Sequence, residues 1–291
     1  MHMKPLFKLM LGIQLVMLVM ACNKSNPDLT ANNATNGDPL KIYITDAPIK
    51  KDTVYLDIRY VEVKLDTSTH KGDDHFGDTD VDSLNDRQHH DQFGHWDTLN
   101  FTPNVYNIAA LRNGVDQLLA TGSVKGTIRK IRITIGTNNS IVDSGVSYPL
   151  YTKNTYVYAN IHNDHRQKDS TNQLATALHL DFDLFKSIVL VNGRYYLLPY
   201  LKPFSNDNYA TLQGGVLPAE SRPIITVYNS TDTSYGLADK LGYFKIRGIT
   251  EGTYSVNFKG SNGYRDTTLT NIVLTKGRVY TIPQKITLRR L

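Results

Sequence analysis

The sequence predicts a mainly β protein made of two β-sandwich modules with short helical pieces. Hydrophobic residues alternate with polar ones in several short segments, which is typical of strands with one buried face. Only residues 105–119 place apolar side chains at helical spacing, and Asn113-Gly114 divides that stretch. The alternating residues are Leu56, Ile58 and Tyr60, then Ile131, Ile133 and Ile135, and then Leu178, Leu180 and Phe182.

The first element is a predicted export signal over residues 1–21. Lys4 and Lys8 precede an apolar run over residues 9–21, and a small residue, Ala21, stands before Cys22. As a helix this run covers about 20 Å, whereas a bilayer core needs about 30 Å, so a transmembrane anchor is not favoured. The segment Val19-Met20-Ala21-Cys22 resembles the bacterial lipobox, which implies cleavage before Cys22 and a diacylglycerol on its sulfur.

The sole cysteine therefore predicts attachment to a membrane, on the outer membrane of a Gram-negative bacterium. An ordinary secreted protein with an unpaired thiol remains the alternative. Residues 22–39 are rich in Asn, Thr, Ser, Asp and Gly, which is the composition of a flexible tether. Such a tether typically reaches about 20 to 25 Å.

The charge of the chain is mild. The formal net charge is +5, and removal of the signal takes away two lysines and no acidic residue. No compact stripe of Lys and Arg accompanies a nucleic-acid motif, so nucleic acid is not an expected partner.

Residues 40–203 are predicted to form the first β-module. Its first strand stops at Asp46-Ala47-Pro48, because proline cannot donate to a sheet ladder. Val61, Val63 and Leu65 continue the alternation of the next strand in the opposite phase. A shift of one residue exchanges the two faces of a strand, so we expect either a bulge or a change of strand near Tyr60-Val61.

Several short motifs occur in this module in a characteristic order. They are Ile44-Thr45-Asp46-Ala47-Pro48, Leu111-Arg112-Asn113-Gly114, Ile131-Arg132-Ile133, Leu180-Asp181-Phe182-Asp183, Ser187-Ile188 and Leu198-Pro199. Together they resemble a bacterial lipoprotein family, the domain of unknown function 4382, from about residue 40 to residue 203. The resemblance implies a β-sandwich-like extracytoplasmic module without established chemistry.

Residues 209–291 form a second predicted module. Short strand-like segments recur after a polar link over residues 202–208, and Gly242 and Gly252 suit turns between them. The segments are Gly214-Gly215-Val216, Thr226-Val227-Tyr228, Leu241-Gly242-Tyr243-Phe244-Lys245-Ile246, Gly248-Ile249 and Gly252-Thr253-Tyr254-Ser255-Val256. Together they resemble the carboxypeptidase regulatory-like domain. That resemblance implies a transthyretin-like (prealbumin-like) sandwich of about seven strands, a carbohydrate-binding-like fold that does no chemistry itself.

An insertion over residues 70–95 holds most of the nine histidines of the chain together with many aspartates. Such a density of imidazoles and carboxylates can bind a divalent cation, calcium or zinc. Asp78, Asp80 and Asp82 have the spacing that opens a calcium loop, but Ser83 and His89 stand where its glycine and glutamate belong. The alternative is a solvated insertion between two strands. The candidate ligands are His70, Asp73, Asp74, His75, Asp78, Asp80, Asp82, His89, His90 and His95.

A second candidate metal site consists of His179, Asp181 and Asp183. Positions i, i+2 and i+4 of a strand point to one face, from which neighbouring ligands can converge. The alternative is the exposed face of an outer strand.

Aromatic residues provide a candidate ligand-binding platform, because stacked rings with polar rims can hold a sugar. Tyr and Trp in β-sandwiches also serve as core residues, which is the alternative. The residues are Trp96, Tyr148, Tyr151, Tyr156 and Tyr158, of which Trp96, Tyr156 and Tyr158 are the principal candidates.

Motifs of common enzymes are missing from the sequence, including the Gly-x-Ser-x-Gly elbow, His-Glu-x-x-His and a phosphate loop. We therefore expect a lipoprotein that binds or scaffolds without catalysis and requires no cofactor. Its partner would be a glycan or an envelope protein. The alternatives are a metal-binding or metal-dependent hydrolytic protein that uses the insertion, and an accessory subunit of an outer-membrane uptake complex.

Overall fold

A computed structural model describes residues 37–47, 49–66, 95–162 and 176–291 of the chain, and these described residues form one compact unit. The predicted mainly β class and the sandwich architecture are confirmed. The predicted signal, nearly all of the tether and residues 70–94 of the insertion lie outside the described residues.

Two sheets form the first module. A five-stranded sheet has the order β14-β11-β1-β6-β4, and a nine-stranded sheet runs β10-β7-β2-β8-β9-β13-β12, with β3 and β5 also paired to β2. The strands are β1 (Asp38–Ala47), β2 (Thr53–Asp66), β3 (His95–Thr98), β4 (Asn100–Phe101), β5 (Asn104–Asn107), β6 (Gln117–Val124), β7 (Thr127–Ile135), β8 (Ser140–Asp143), β9 (Val146–Thr152), β10 (Tyr156–Asn160), β11 (Thr176–Asp183), β12 (Ile188–Val191), β13 (Arg194–Leu197) and β14 (Leu201–Phe204).

The core of this module lies between the two sheets. Alternate residues of the central strands point inward and are buried, because the period of side chains along a strand is two. They include Leu40, Ile42 and Ile44 of β1, Ile131, Ile133 and Ile135 of β7, and Leu178, Leu180 and Phe182 of β11.

The expected bulge occurs in β2. Ile58 pairs with Ile135 and Tyr60 with Thr134, so Arg59 is the extra residue. Val54, Leu56 and Ile58 are buried before it, and Val61, Val63 and Leu65 are buried after it. The bulge thus lets both halves of β2 face one core, one to two residues before the predicted position.

The stretch with helical spacing is mostly extended. Residues 105–119 contain part of β5, one 3₁₀ turn (Ile108–Leu111) and the start of β6. Asn113 and Gly114 have φ of 61° and 80°, so the chain turns there as the sequence predicts. The apolar spacing reflects a buried turn, in which Ile108, Ala109 and Leu111 face the core. A short helix α1 (Leu184–Ser187) follows β11.

The second module packs two four-stranded sheets, one of order β18-β15-β21 with β22 also on β15, and one of order β17-β16-β19-β20. Eight strands are described against about seven expected, and β22 has only two residues. A second 3₁₀ turn covers Ala219–Ser221. The strands are β15 (Ala210–Leu217), β16 (Ile224–Tyr228), β17 (Thr233–Leu237), β18 (Tyr243–Ile249), β19 (Gly252–Lys259), β20 (Thr267–Leu274), β21 (Val279–Thr281) and β22 (Ile286–Thr287).

Large aromatic side chains fill the core of the second module. Phe244, Tyr254 and Phe258 are at most 2% exposed. Gly242 closes the turn before β18 with φ of 83°, and a Cβ there would overlap the carbonyl oxygen of Val216. Only glycine suits both the dihedral angle and the close approach.

The helices in the described part of the chain are single turns of three or four residues. None of them has the length and apolar character that a membrane crossing requires.

Candidate functional site

The outer face of the nine-stranded sheet gathers side chains from β2, β3, β7 and β10. Glu62 lies opposite Arg132, which lies opposite Tyr158. In the neighbouring row Tyr60 lies opposite Thr134, which lies opposite Tyr156. Trp96 of β3 pairs with Lys64 at the edge of these rows. We call the following set the aromatic face: Tyr60, Glu62, Trp96, Arg132, Tyr156 and Tyr158.

Arg132 lies at the centre of the aromatic face. Its guanidinium carbon is 4.2 Å from the ring centroid of Trp96 and 4.9 Å from that of Tyr156. The same group donates two hydrogen bonds of 2.8 Å to the carboxylate of Glu62. These hydrogen bonds raise the pKa of Arg132 above its ordinary value. Fork-to-carboxylate pairing fixes the orientation of the guanidinium, which in turn orders the rings beside it.

The tyrosine rings of this face are open to solvent, while the ion pair lies beneath them. Tyr60 is 57% exposed, Tyr156 46% and Tyr158 36%, whereas the side chains of Arg132 and Glu62 are 18% and 16% exposed. The ring centroids of Tyr156 and Tyr158 are 6.4 Å apart, and those of Trp96 and Tyr158 are 6.1 Å apart. The face therefore offers ordered rings and phenol hydroxyls to a ligand.

An open groove begins at Tyr158. It has a volume of about 430 Å³ and lies between the end of β10, the segment over residues 199–203 and the second module. Lys202 Nζ is 3.2 Å from Asp232 Oδ2 in its wall, and Thr250 donates a hydrogen bond of 3.0 Å to Asp232. We call it the groove, and its lining residues include Tyr158, Asn160, His162, Pro199, Tyr200, Lys202, Pro203, Tyr209, Asp232 and Thr250.

The pKa of Asp232 is set by opposing effects. Burial alone would raise it, but the charge of Lys202 and the hydrogen bonds from Lys202 and Thr250 outweigh burial and lower it. The Asp232 carboxylate is therefore ionised at neutral pH and keeps both partners in place.

Three of the five candidate aromatic residues meet on the aromatic face, namely Trp96, Tyr156 and Tyr158. Tyr148 and Tyr151 lie on β9, where their rings are 5.5 Å from Tyr195 and 5.8 Å from Tyr196. The sequence reasoning missed Tyr60, Glu62 and Arg132. Their signal was present in the alternation of Tyr60 and Glu62 with buried valines and of Arg132 with buried isoleucines, but pairing between β2 and β7 is needed to bring them together.

His179 of the second candidate metal set is enclosed by side chains. Its ring is stacked between Tyr43 and Phe204, at 5.1 Å from each centroid. Its Nδ1 is 3.3 Å from Asp116 Oδ1, and its Nε2 is 3.3 Å from the Asn206 amide nitrogen.

Asp181 and Asp183 have other structural surroundings. Asp183 is buried, accepts a hydrogen bond of 3.0 Å from the Lys186 backbone and so caps α1. Asp181 lines a small pocket beside Thr45 and Arg247. Among the described residues no group of three or more His, Cys, Asp or Glu side chains could hold a metal ion. β11 is covered on both faces, so it is not a strand with one exposed face.

Of the candidate ligands in the insertion, only His95 lies within the described residues. Its side chain is 60% exposed, and Nε2 is 2.7 Å from Asp97 Oδ1. The others, together with Cys22, lie outside: His70, Asp73, Asp74, His75, Asp78, Asp80, Asp82, His89 and His90.

Comparison with protein families gives a match over residues 39–199, more than half of the chain, to the family described as Domain of unknown function (DUF4382). Comparison with curated proteins gives no match.

Three solved structures illustrate the structural similarities. A cohesin–X-dockerin complex from Acetivibrio cellulolyticus has 20% identity and a TM-score of 0.24 over 28% of this chain and 58% of that one, so the match spans less than two thirds of its length. The minor pilin of Streptococcus agalactiae has 11% identity and a TM-score of 0.21 over 86% of this chain and 96% of that one. The fimbrial anchor protein of Porphyromonas gingivalis has 10% identity and a TM-score of 0.20 over 81% and 83%.

Proposed function

The chain belongs to the DUF4382 family, and from that premise we propose that it is a non-catalytic binding protein of the cell envelope whose ligand contacts the aromatic face. The observation that supports the proposal is the ordered set of exposed rings around the Arg132–Glu62 ion pair. Tyr, Trp and Arg are the residue types that contribute most to binding at protein surfaces.

The aromatic face is organised before any ligand arrives. Binding normally costs the ordering of side chains, about 0.5 to 1.5 kcal/mol for each flexible one. Here two hydrogen bonds hold Arg132, and its guanidinium lies against the rings of Trp96 and Tyr156. A ligand would therefore lose little affinity to ordering of this surface.

The same geometry argues against catalysis on this face. A general base needs a carboxylate that can accept a proton from a substrate. Both oxygens of Glu62 accept hydrogen bonds from Arg132, and the pair is mostly covered by neighbouring side chains. Glu62 thus serves to position Arg132, and the exposed groups are phenols and ring edges.

The chain would be held at the outer membrane of a Gram-negative bacterium by a lipid on Cys22. The charged start, the short apolar run and the small residue before the sole cysteine support this part of the proposal. Residues 22–37 would act as the tether, two residues shorter than the sequence predicts, because β1 begins at Asp38. Residues 209–291 would be a carboxypeptidase regulatory-like module that supports the binding module without chemistry of its own.

Replacement of the cysteine tests the anchor. Cys22→Ala should move the protein from the membrane fraction to the soluble fraction, because each buried methylene of an acyl chain contributes about 0.8 kcal/mol to membrane attachment. Fractionation followed by immunoblotting measures this. Ser25→Ala, three residues further on, is the matched control. Retention of the Cys22→Ala protein on membranes would contradict the anchor.

Binding itself is tested with the full chain on a glycan array and on a panel of purified envelope proteins. Trp96 is the only tryptophan of the chain, so its fluorescence reports on the aromatic face without background from elsewhere. A true ligand should change Trp96 emission and should bind Tyr156→Ala at least about tenfold more weakly, which corresponds to about 1.4 kcal/mol.

The control variant for this test is Tyr151→Ala. Tyr151 is 45% exposed, nearly the same as Tyr156 at 46%, but it lies on β9 away from Arg132. Its replacement should leave binding unchanged. Equal loss of binding in both variants, or equal retention in both, would sink the proposed function.

A further inference from the structure

We propose that the ligand of the aromatic face is a linear, uncharged oligosaccharide that continues from the face into the groove. This inference rests on the proposed function, and it adds the chemical class of the ligand and a second contact region. It is carried by the continuity of the two regions and by the chemistry of the groove lining.

Continuity follows from β10. Tyr156, Tyr158 and Asn160 alternate with buried Val157 and Ala159, so they point to the same side of the sheet at intervals of about 6.5 to 7 Å. Tyr156 and Tyr158 belong to the aromatic face, while Tyr158 and Asn160 line the groove. A chain-like ligand that rests on the face is thereby directed along β10 into the groove.

The groove lining alternates apolar surface with hydrogen-bonding groups. Pro199, Tyr200 and Pro203 supply flat apolar surface, and Asn160 supplies a side-chain amide. A sugar ring has the matching character, because it presents a carbon–hydrogen face and a rim of hydroxyl groups that both donate and accept. A volume of about 430 Å³ lies in the range of small-molecule sites, about 300 to 1,000 Å³.

The central charges of both regions occur as close pairs. Arg132 is neutralised by Glu62 on the aromatic face, and Lys202 is neutralised by Asp232 in the groove. A site for a charged ligand needs a charge of opposite sign directed at it, because electrostatic complementarity sets specificity. Within each pair the charges cancel, so neither pair presents a net charge to a ligand, which fits an uncharged chain.

Lys64 and Lys130 lie opposite each other in the next row of the sheet. An acidic oligosaccharide must therefore be compared with the neutral one in the test.

The test uses the full chain and neutral oligosaccharides of one to six units built from glucose, mannose or N-acetylglucosamine. Affinity is measured by calorimetry and by Trp96 fluorescence. For the sugar that binds, the dissociation constant should fall by at least about tenfold from two to five units, equivalent to about 1.4 kcal/mol, as the chain enters the groove. A uronic-acid oligosaccharide of equal length should bind more weakly.

Groove variants separate the two regions. Tyr200→Ala and Asn160→Ala should each weaken the five-unit ligand by about fivefold or more, around 1 kcal/mol, and leave the two-unit ligand within about twofold. Tyr228→Ala is the matched control, because Tyr228 is 39% exposed compared with 45% for Tyr200 and lies on β16 of the second module.

Three results would overturn the inference, and they are distinguishable from a failure of the proposed function. Binding that depends on Tyr156 but not on chain length or on Tyr200 would exclude the groove. A preference for uronic acids would exclude the uncharged class. Absence of binding to every neutral sugar, with Tyr156-dependent binding of an envelope protein, would exclude oligosaccharides while the aromatic face kept its function. Loss of all Tyr156-dependent binding would remove both.

Discussion

Asp116 links the first module to the second. Its Oδ1 is 3.3 Å from His179 Nδ1, and its Oδ2 accepts a hydrogen bond of 2.9 Å from Arg247. A second hydrogen bond joins Arg247 to Oδ1. Burial alone would raise the pKa of Asp116, but these hydrogen bonds and the charge of Arg247 lower it to about 2.

Asp116→Asn should therefore destabilise the protein in a pH-dependent manner. A pKa of about 2 in the folded chain, below the unfolded value, means that the ionised group stabilises the fold above pH 4 and loses that effect as pH falls from about 4 to 2. Because Asp116 is partly open to solvent, which screens these charges, we expect a loss of about 1 kcal/mol at pH 7 that shrinks toward pH 2. Urea unfolding at both pH values measures it.

Asp207→Asn is the control for Asp116, because the Asp207 side chain makes no hydrogen bond or ion pair with another described residue. Its replacement should change stability little at either pH. A pH-independent loss in Asp116→Asn would contradict the assignment of the effect to the ionised carboxylate.

Gly136 illustrates a steric requirement. A Cβ at this position would overlap Oδ2 of buried Asp57, and the Gly136 backbone donates a hydrogen bond of 2.6 Å to the Asp57 carbonyl oxygen. Gly136→Ala should lower the free energy of unfolding by about 1 to 3 kcal/mol, as overpacking does.

The comparison variant is Gly145→Ala. No atom lies within 4 Å of its added Cβ, and only its φ of 78° opposes alanine, at about 1 to 2 kcal/mol. Thermal denaturation of both variants separates the two effects. If Gly136→Ala unfolded at the same temperature as the wild type, the Asp57 side chain would have moved to make room for the methyl group. That result would contradict the steric requirement.

The bulge in β2 allows a prediction about a whole strand. Removal of Arg59 restores uninterrupted alternation, so Val61, Val63 and Leu65 stay inward. Removal of Glu62 instead turns Val63 and Leu65 outward and places polar residues in the core. Deletion of Arg59 should therefore leave the protein folded, with only the ion pair between Arg59 and Asp57 lost. Deletion of Glu62 should instead unfold the first module.

Circular dichroism measures whether each deletion variant is folded, and the midpoint of urea unfolding compares their stabilities. Equal destabilisation by both deletions would mean that the register of β2 is not fixed by its buried face.

Strands with a local pattern were the elements that sequence could predict. The bulge in β2 could be predicted because the change in hydrophobic alternation occurs within a few adjacent residues. The burial of β11 could not, because His179 is covered by groups distant in sequence, such as Asp116 and Asn206. The parallel pairing of β1 with β11 is equally non-local.

The binding surface likewise contains residues that a local sequence pattern could identify and residues that it could not. Trp96, Tyr156 and Tyr158 could be named from the sequence because their aromatic side chains can stack on a ligand, whatever strands they occupy. Arg132 was hidden because its partners Glu62 and Trp96 lie on other strands, and their convergence depends on sheet register.

At the scale of the whole molecule, ionised carboxylates join two separate hydrophobic cores. Asp116 bonds to Arg247, and Lys202 bonds to Asp232, and both aspartates have a lowered pKa. Apolar contact is also present, since the rings of Phe185 and Tyr235 are stacked at 4.4 Å.

Acid should therefore loosen the link between the cores before it unfolds either of them. Groups with a lowered pKa lose their stabilising charge as pH falls through that pKa. Differential scanning calorimetry should show one transition at pH 7 and two transitions near pH 2. The Asp116→Asn variant should show two transitions at a higher pH than the wild type. A single transition at all pH values would show that apolar contacts alone couple the cores.

β1 has a mechanical consequence. It is the first strand after the residues proposed to tether the chain, and it is hydrogen-bonded to β11 on one side and to β6 on the other. A force along the axis of β1 shears the hydrogen bonds to β11 and to β6 together, so many hydrogen bonds must break at once. An anchored protein that holds a ligand under fluid flow would thus carry tension through its sheet interior, and its lifetime under load would follow the rate of unfolding.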